Sequence, residues 1–118
     1  MSKKIDIALG FDANYAPHAV GVISTVVALA PDANFRFLIL YDVLETRLQQ
    51  QIQSCAPRAE WVWLQVRESD VPPFADRQYF NRTTLFRLGL EALAPADCSR
   101  VLFLDSDIAL LRDVRDLW

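Results

Sequence analysis

The chain has 118 residues, 53% of them hydrophobic, with a formal net charge of −3 and a pI near 5.0. These numbers predict one domain over residues 1–118, able to bury roughly two-thirds of its unfolded surface. They speak against a nucleic-acid partner, which needs clustered Lys and Arg, and no uncharged stretch is long enough for a membrane span or a signal peptide.

Ile5 to Phe11 reads as a buried first strand. Asn14 can then cap a helix that tolerates Pro17 in its first turn and runs to about Ala30, where Pro31-Asp32 stops it. This helix is apolar nearly all round, as expected of one packed on a sheet. Phe35 to Tyr41 predicts the second strand. Leu44, Leu48, Ile52 and Cys55 recur at helical spacing, with Gln49, Gln50 and Gln53 mostly turned to water. Trp61 to Val66 predicts a third strand, with Trp61 and Trp63 on one face by the period of two. Arg67 to Asn81, with Pro72-Pro73, has weak periodicity and reads as a long loop of the kind that often carries function. A helix from about Thr83 to Leu93, a fourth strand from Val101 to Leu104 and a short strand over Ile108 to Leu111 complete the order. The alternation predicts an α/β fold: a mainly parallel sheet with right-handed crossovers and helices on both faces.

Cys55 and Cys98 follow no metal-binding or redox spacing. They read as buried free thiols in a reducing compartment, the cytoplasm.

Asp105-Ser106-Asp107 follows the apolar run Val101-Leu102-Phe103-Leu104, which puts two carboxylates at the carboxyl end of a strand, where open α/β sheets hold their ligands. Carboxylates at i and i+2 can converge on Mg²⁺ or Mn²⁺ and leave positions for substrate phosphates. A solvated, self-capping turn is the other reading. Asp12 and Asn14 stand at a second strand-to-helix turn and can bond a base or ribose, with Tyr15 offering a ring face. Alternatively Asn14 is only the helix cap and Tyr15 packs in the first turn. Among the cations, Arg77 and Arg82 fit structural ion pairs. Arg87 lies in the helix that leads into the acidic strand end and reads as a binder of phosphate or sugar oxygens. The sole histidine, His18, has no companion ligands in sequence and reads as a helix-surface residue.

Three of these segments carry a resemblance. Arg100 to Val114, with Asp105-Ser106-Asp107 at its centre and Leu117-Trp118 after it, resembles the metal-binding region of family 8 glycosyltransferases. Ile5 to Tyr15 resembles their first strand and nucleotide loop, and Thr83-Thr84-Leu85-Phe86-Arg87-Leu88 resembles their donor-contacting helix. The resemblance implies a Rossmann-like, GT-A-type fold and retaining transfer of a hexose, glucose or galactose, from a UDP-sugar with Mn²⁺ or Mg²⁺. It implies that Asp105 and Asp107 ligate the metal and that Ser106 lines the ribose side. By the same carry-over Asp12 and Asn14 contact uracil and ribose, Gly10 lies in the same nucleotide loop, Tyr15 stacks near the base, and Arg87 reaches the diphosphate or sugar. Ala13 departs from the pattern, because many members have a second Asp there.

Family members continue well beyond the metal turn, and the continuation carries a histidine ligand, the acceptor platform and the candidate catalytic groups. The expectation is therefore an apparently truncated, donor-binding half of a transferase. A C-terminal half would supply the saccharide acceptor site, with a bacterial surface glycan such as lipopolysaccharide as the acceptor. Two rivals are a non-catalytic module that binds nucleotide or self-associates, and a receiver-like signalling domain. The second is disfavoured by the break in element order at the long loop and by the lack of a lysine after Lys4.

Overall fold

The computed structural model describes residues 4–70 and 82–118, with side chains omitted at position 68 and over 82–85. The expected Pro72-Pro73 loop and Arg77 lie outside the described residues, as does the side chain of Arg82. The elements are β1 (Ile5–Gly10), α1 (Ala16–Leu29), β2 (Phe35–Tyr41), α2 (Thr46–Gln53), β3 (Glu60–Gln65), α3 (Arg82–Leu93) and β4 (Leu102–Phe103). Single 3-10 turns occupy Glu68–Asp70 and Val114–Asp116.

The strand pairings among the described residues are all parallel, in the order β3-β2-β1-β4. The two central strands are covered on both faces, which explains why they read as apolar runs, each interrupted only by one charged residue, Asp6 or Arg36. One face carries Ile5, Ile7 and Leu9 of β1 and Phe35, Phe37 and Ile39 of β2, packed under α1 and α2. Trp61 and Trp63 lie on this face with ring centroids 5.8 Å apart. The other carries Ala8, Leu38 and Leu40 under α3, whose Phe86 is buried with them. Helices on both faces of a parallel sheet make this the expected Rossmann-like α/β fold.

Three local expectations change, and a fourth, glutamines mostly turned to water, holds with Gln50 and Gln53 exposed but gains contacts. The N-cap of α1 is Tyr15, without a side-chain hydrogen bond, so Asn14 is not the cap. The segment 108–111 forms no strand; Leu110 and Val114 instead fill the α1 side of the core from an irregular segment. Gln49 is half-buried and donates to the Leu44 carbonyl, and Gln53 accepts from the Trp63 indole, so two of the three glutamines fasten α2 as well as meeting water. Both cysteines are free but only half-buried, and burial pushes both thiols up.

Candidate functional site

Chain order runs outward from β1 through β2 to β3 and then returns to place β4 on the opposite side of β1. The reversal falls between β1 and β4, and in open α/β sheets the ligand crevice lies outside the carboxyl ends of the strands at such a point. Ile7 pairs with Leu102 and Ala8 with Phe103, and the Leu104 N–H still donates to the Ala8 carbonyl at 2.9 Å. The turn holding Asp105, Ser106 and Asp107 therefore emerges beside the end of β1, where Gly10 leads into residues 11–15. Asp105 and Asp107 are exposed and Ser106 is half-buried.

On the β1 side, Phe11 is fully buried and anchors the loop, leaving residues 12–15 to turn at the sheet edge. The Tyr15 N–H donates to Asp12 Oδ1 at 3.1 Å and to the Asp12 carbonyl at 3.2 Å. Asp12 thus supplies the side-chain acceptor that sequence reasoning assigns to Asn14, which is exposed. Tyr15 does not pack into the core: it is 47% exposed, with its ring 5.8 Å from that of His18. His18 is exposed on α1, as expected.

The third component arrives from α3. A Cβ on Gly10 would lie 3.0 Å from the Phe86 Cβ and 3.1 Å from its ring, so the glycine lets the helix close onto the strand end. The next residue, Arg87, reaches across to Asp105, with 3.1 Å between Nη2 and Oδ1. Its guanidinium carbon lies 4.8 Å from the centroid of Phe103. Alternation along β4 explains the meeting: Val101 and Phe103 face α3, Leu102 and Leu104 face α1, and Asp105 continues the α3 side. Sequence reasoning set Arg87 apart from structural ion pairs; the structure gives it one, and with a candidate metal ligand.

Among the described residues no group of three His, Cys, Asp or Glu is placed to hold a metal. Asp105 and Asp107 are nevertheless two hard oxygen donors in water's reach, and the approach of Arg87 shows that this turn attracts positive charge. Such a donor set fits Mg²⁺ or Mn²⁺, which retain waters and take phosphate oxygens as further ligands.

Sequence reasoning missed a second charged cluster, at the amino ends of the strands. Asp6 of β1 lies in register with Arg36 of β2. Both are buried, and Arg36 bonds Asp6 through Nε at 2.5 Å and Nη2 at 3.1 Å. Its Nη1 donates to both carboxylate oxygens of Asp97, at 2.9 and 3.1 Å. Arg36 holds the Asp97 carboxyl below the usual range, while Asp6 holds the guanidinium firmly protonated. One charged residue in each of two otherwise apolar strands was the available signal. Beside this cluster a cleft of about 360 Å³ is lined by Lys4, Ser99, Arg100 and Trp118, and Arg100 stacks on the Trp118 ring at 4.4 Å.

The sequence profile described as glycosyl transferase family 8 matches residues 6–118. The chain belongs to that family. Among solved structures, the galactosyltransferase LgtC, determined in complex with donor and acceptor sugar analogs, is similar with a TM-score of 0.77 and 26% identity. That match covers 97% of this chain and 42% of LgtC, so the family 8 chain described here spans less than half the length of that relative. An active-site mutant of LgtC gives the same TM-score and identity over 97% of this chain and 41% of the mutant chain. The bifunctional glycosyltransferase WbbM, in its apo structure, matches at TM-score 0.73 and 20% identity over 99% of this chain and 21% of its own, a likeness of fold. No curated protein sequence matches the chain. The Rossmann-like sheet is thus of the GT-A type.

Proposed function

We propose that this family 8 chain is the donor-binding portion of a retaining hexosyltransferase that moves glucose or galactose from a UDP-sugar to a saccharide acceptor. The observation that carries the reading is the Arg87–Asp105 contact at the reversal of strand order, where the turn after β4 leaves the sheet beside the end of β1. LgtC, a galactosyltransferase solved with sugar analogs, supports the choice of substrate class.

In this reading Asp105 and Asp107 would hold Mn²⁺ or Mg²⁺. When bound, the cation would supply positive charge to a diphosphate leaving group. Arg87 adds planar donors to the diphosphate or sugar. Ser106 lines the ribose side, Asp12 and Asn14 bond base and ribose, and Gly10 keeps the nucleotide loop and α3 together. Tyr15, already exposed, stacks on the base. A C-terminal half would complete the saccharide acceptor site, and the acceptor belongs to a bacterial surface glycan such as lipopolysaccharide. The protein works in the cytoplasm, in keeping with its free cysteines. No helix among the described residues is long and apolar enough to cross a membrane.

A non-catalytic nucleotide-binding or self-associating module is the alternative, favoured by exposed Leu111 and Leu117. Titration of UDP with and without Mn²⁺ tests the donor site, and metal-independent or absent binding would refute the donor-half reading. Incubation with UDP-glucose or UDP-galactose and saccharide acceptors then separates them. The donor-half reading expects little transfer from this chain alone, because holding an acceptor in near-attack geometry can contribute up to roughly 7–11 kcal/mol. Turnover of order 1 s⁻¹ or faster would refute the assignment of half an enzyme.

A further inference from the structure

Two arginine–carboxylate assemblies, one at each end of the sheet, are of opposite character. Arg36 has a side chain only 6% exposed and uses its guanidinium on two carboxylates at once, an arrangement that pins the amino end of the sheet. Arg87 and Asp105 have side chains 54% and 59% exposed and share one contact. A pair in that setting is easily exchanged, because water competes for both charges. Its location is specific, however. Phe86, 2% exposed and tight against Gly10, fixes the turn of α3 that bears Arg87, so only the arginine side chain is free to travel. Phe103 holds the same guanidinium while the ion pair is formed: it lies two residues before Asp105 on the same side of β4, and its ring face meets the guanidinium at 4.8 Å, within cation–π range.

We propose that Arg87 is a resident counter-cation for Asp105, exchanged for the divalent metal as the nucleotide diphosphate arrives, and that Phe103 is the positioning residue that keeps the guanidinium at the site both when it is paired with Asp105 and after exchange. This inference rests on the proposed metal–diphosphate site. Before ligand arrives, Arg87 neutralises a carboxylate that would otherwise stand beside Asp107 as a second unscreened negative charge. When the metal takes Asp105, the guanidinium moves along the Phe103 face toward the diphosphate oxygens. Metal and nucleotide binding are coupled as a result: metal alone must displace Arg87, whereas metal with a diphosphate gives Arg87 a new anionic partner.

The opposite signs of two affinities test this. Arg87→Met, at a largely exposed side chain, should raise the affinity for Mn²⁺ alone by roughly two- to five-fold, the range of an exposed ion pair lost as a competitor. The same variant should lower the affinity for UDP at saturating Mn²⁺ by roughly 10- to 100-fold through loss of charge-assisted bonds. Phe103→Leu should move both affinities in the same directions by less, and Phe103→Tyr, which keeps a ring face, should restore the parent values. Calorimetric titration of the 118-residue chain with Mn²⁺, and with UDP at saturating Mn²⁺, reads both quantities. If the parent binds Mn²⁺ through Asp105 and Asp107 but Arg87→Met binds it no more tightly, the counter-cation role is overturned and the metal site stands. If Phe103→Leu matches the parent in both titrations, the positioning role is overturned. If the parent binds neither Mn²⁺ nor UDP, or both aspartate-to-asparagine variants bind as it does, the site reading fails and the inference fails with it.

Discussion

Replacing Arg36 by Met should be far more damaging than replacing any charged residue at the opposite end of the sheet. The substitution keeps the aliphatic stem and removes the cation from Asp6, which is 5% exposed and bonded by Arg36 through both carboxylate oxygens. Removing one partner of a buried pair leaves an uncompensated charge, at a cost of about 3–5 kcal/mol. Native domains are stable by about 5–15 kcal/mol, so the loss is a large share of the total. With a urea slope of about 2 kcal/mol per molar, the unfolding midpoint should fall by roughly 2 M. Asp97→Asn should cost a small fraction of this, because that side chain is 71% exposed and keeps its water. The double variant Asp6→Leu, Arg36→Met removes both buried charges and should recover most of the loss. Equilibrium urea unfolding of the four proteins measures these differences. A loss below about 1 kcal/mol for Arg36→Met, or a double variant no better than the single one, would refute the account of a buried charge left without its partner.

Further outcomes concern the carboxyl end. Asp105→Asn and Asp107→Asn should abolish metal-dependent UDP affinity while the protein stays folded, since both residues are exposed; parent-like titrations would remove them from the site. Tyr15→Ala should weaken uridine and UDP alike by about 1–3 kcal/mol, the usual worth of base–aromatic stacking, and unchanged uridine affinity would rule the stack out. Asp12→Ala should lower stability by about 1 kcal/mol through the lost Tyr15 N–H acceptor, whereas Asn14→Ala should be close to neutral; the reverse order in thermal unfolding would restore Asn14 as the cap. Arg115 holds the carboxyls of Asp113 and Asp32 below their ordinary value of 3.8. Their contribution is therefore present above about pH 4 and lost as pH falls through the depressed values. Arg115→Gln should accordingly flatten the acid limb of a melting-temperature profile, and an unchanged limb would show that these contacts add nothing.

The sheet was legible because its central strands are buried on both faces and so appear as runs of apolar residues; β2 was found at its observed limits. The acidic turn was legible for a related reason, since an apolar run that ends in two aspartates marks a strand leaving the core. What escaped detection depends on contacts between distant segments. Asp6 meets Arg36 only because parallel register sets them side by side, and Asp97 joins from 61 residues further along the chain. Asn14 had the right composition for a cap, but burial of Phe11 starts the turn at Asp12 and moves the helix start past Asn14. The 108–111 segment had strand-like residues but no neighbouring strand to pair with among the described residues, and only Leu110 turns onto the core while Ile108, Ala109 and Leu111 face water. Arg87 could be singled out, but its partner could not, because their meeting requires the close approach of Phe86 to Gly10.

That dependence on Gly10 links stability to chemistry at the site. An alanine at position 10 would place its Cβ 3.0 Å from that of Phe86, a contact that something must move to relieve. Gly10 is the last residue of β1, and Phe86 belongs to the first half of α3. The strand is held between two neighbours in the sheet, while α3 rests on it from one side, so the displacement falls mainly on the helix. Arg87, the next residue, would move with it, away from Phe103 and Asp105. The same shift, of the order of a few tenths of an ångström, that relieves overpacking, which typically costs about 1–3 kcal/mol, therefore lengthens the 3.1 Å contact of the guanidinium with Asp105. At the amino end of the sheet Arg36 and Asp6 instead sit on paired strands whose spacing is set by the ladder itself. One end of the sheet thus fixes its charges through the backbone, and the other positions them through a glycine-dependent helix contact.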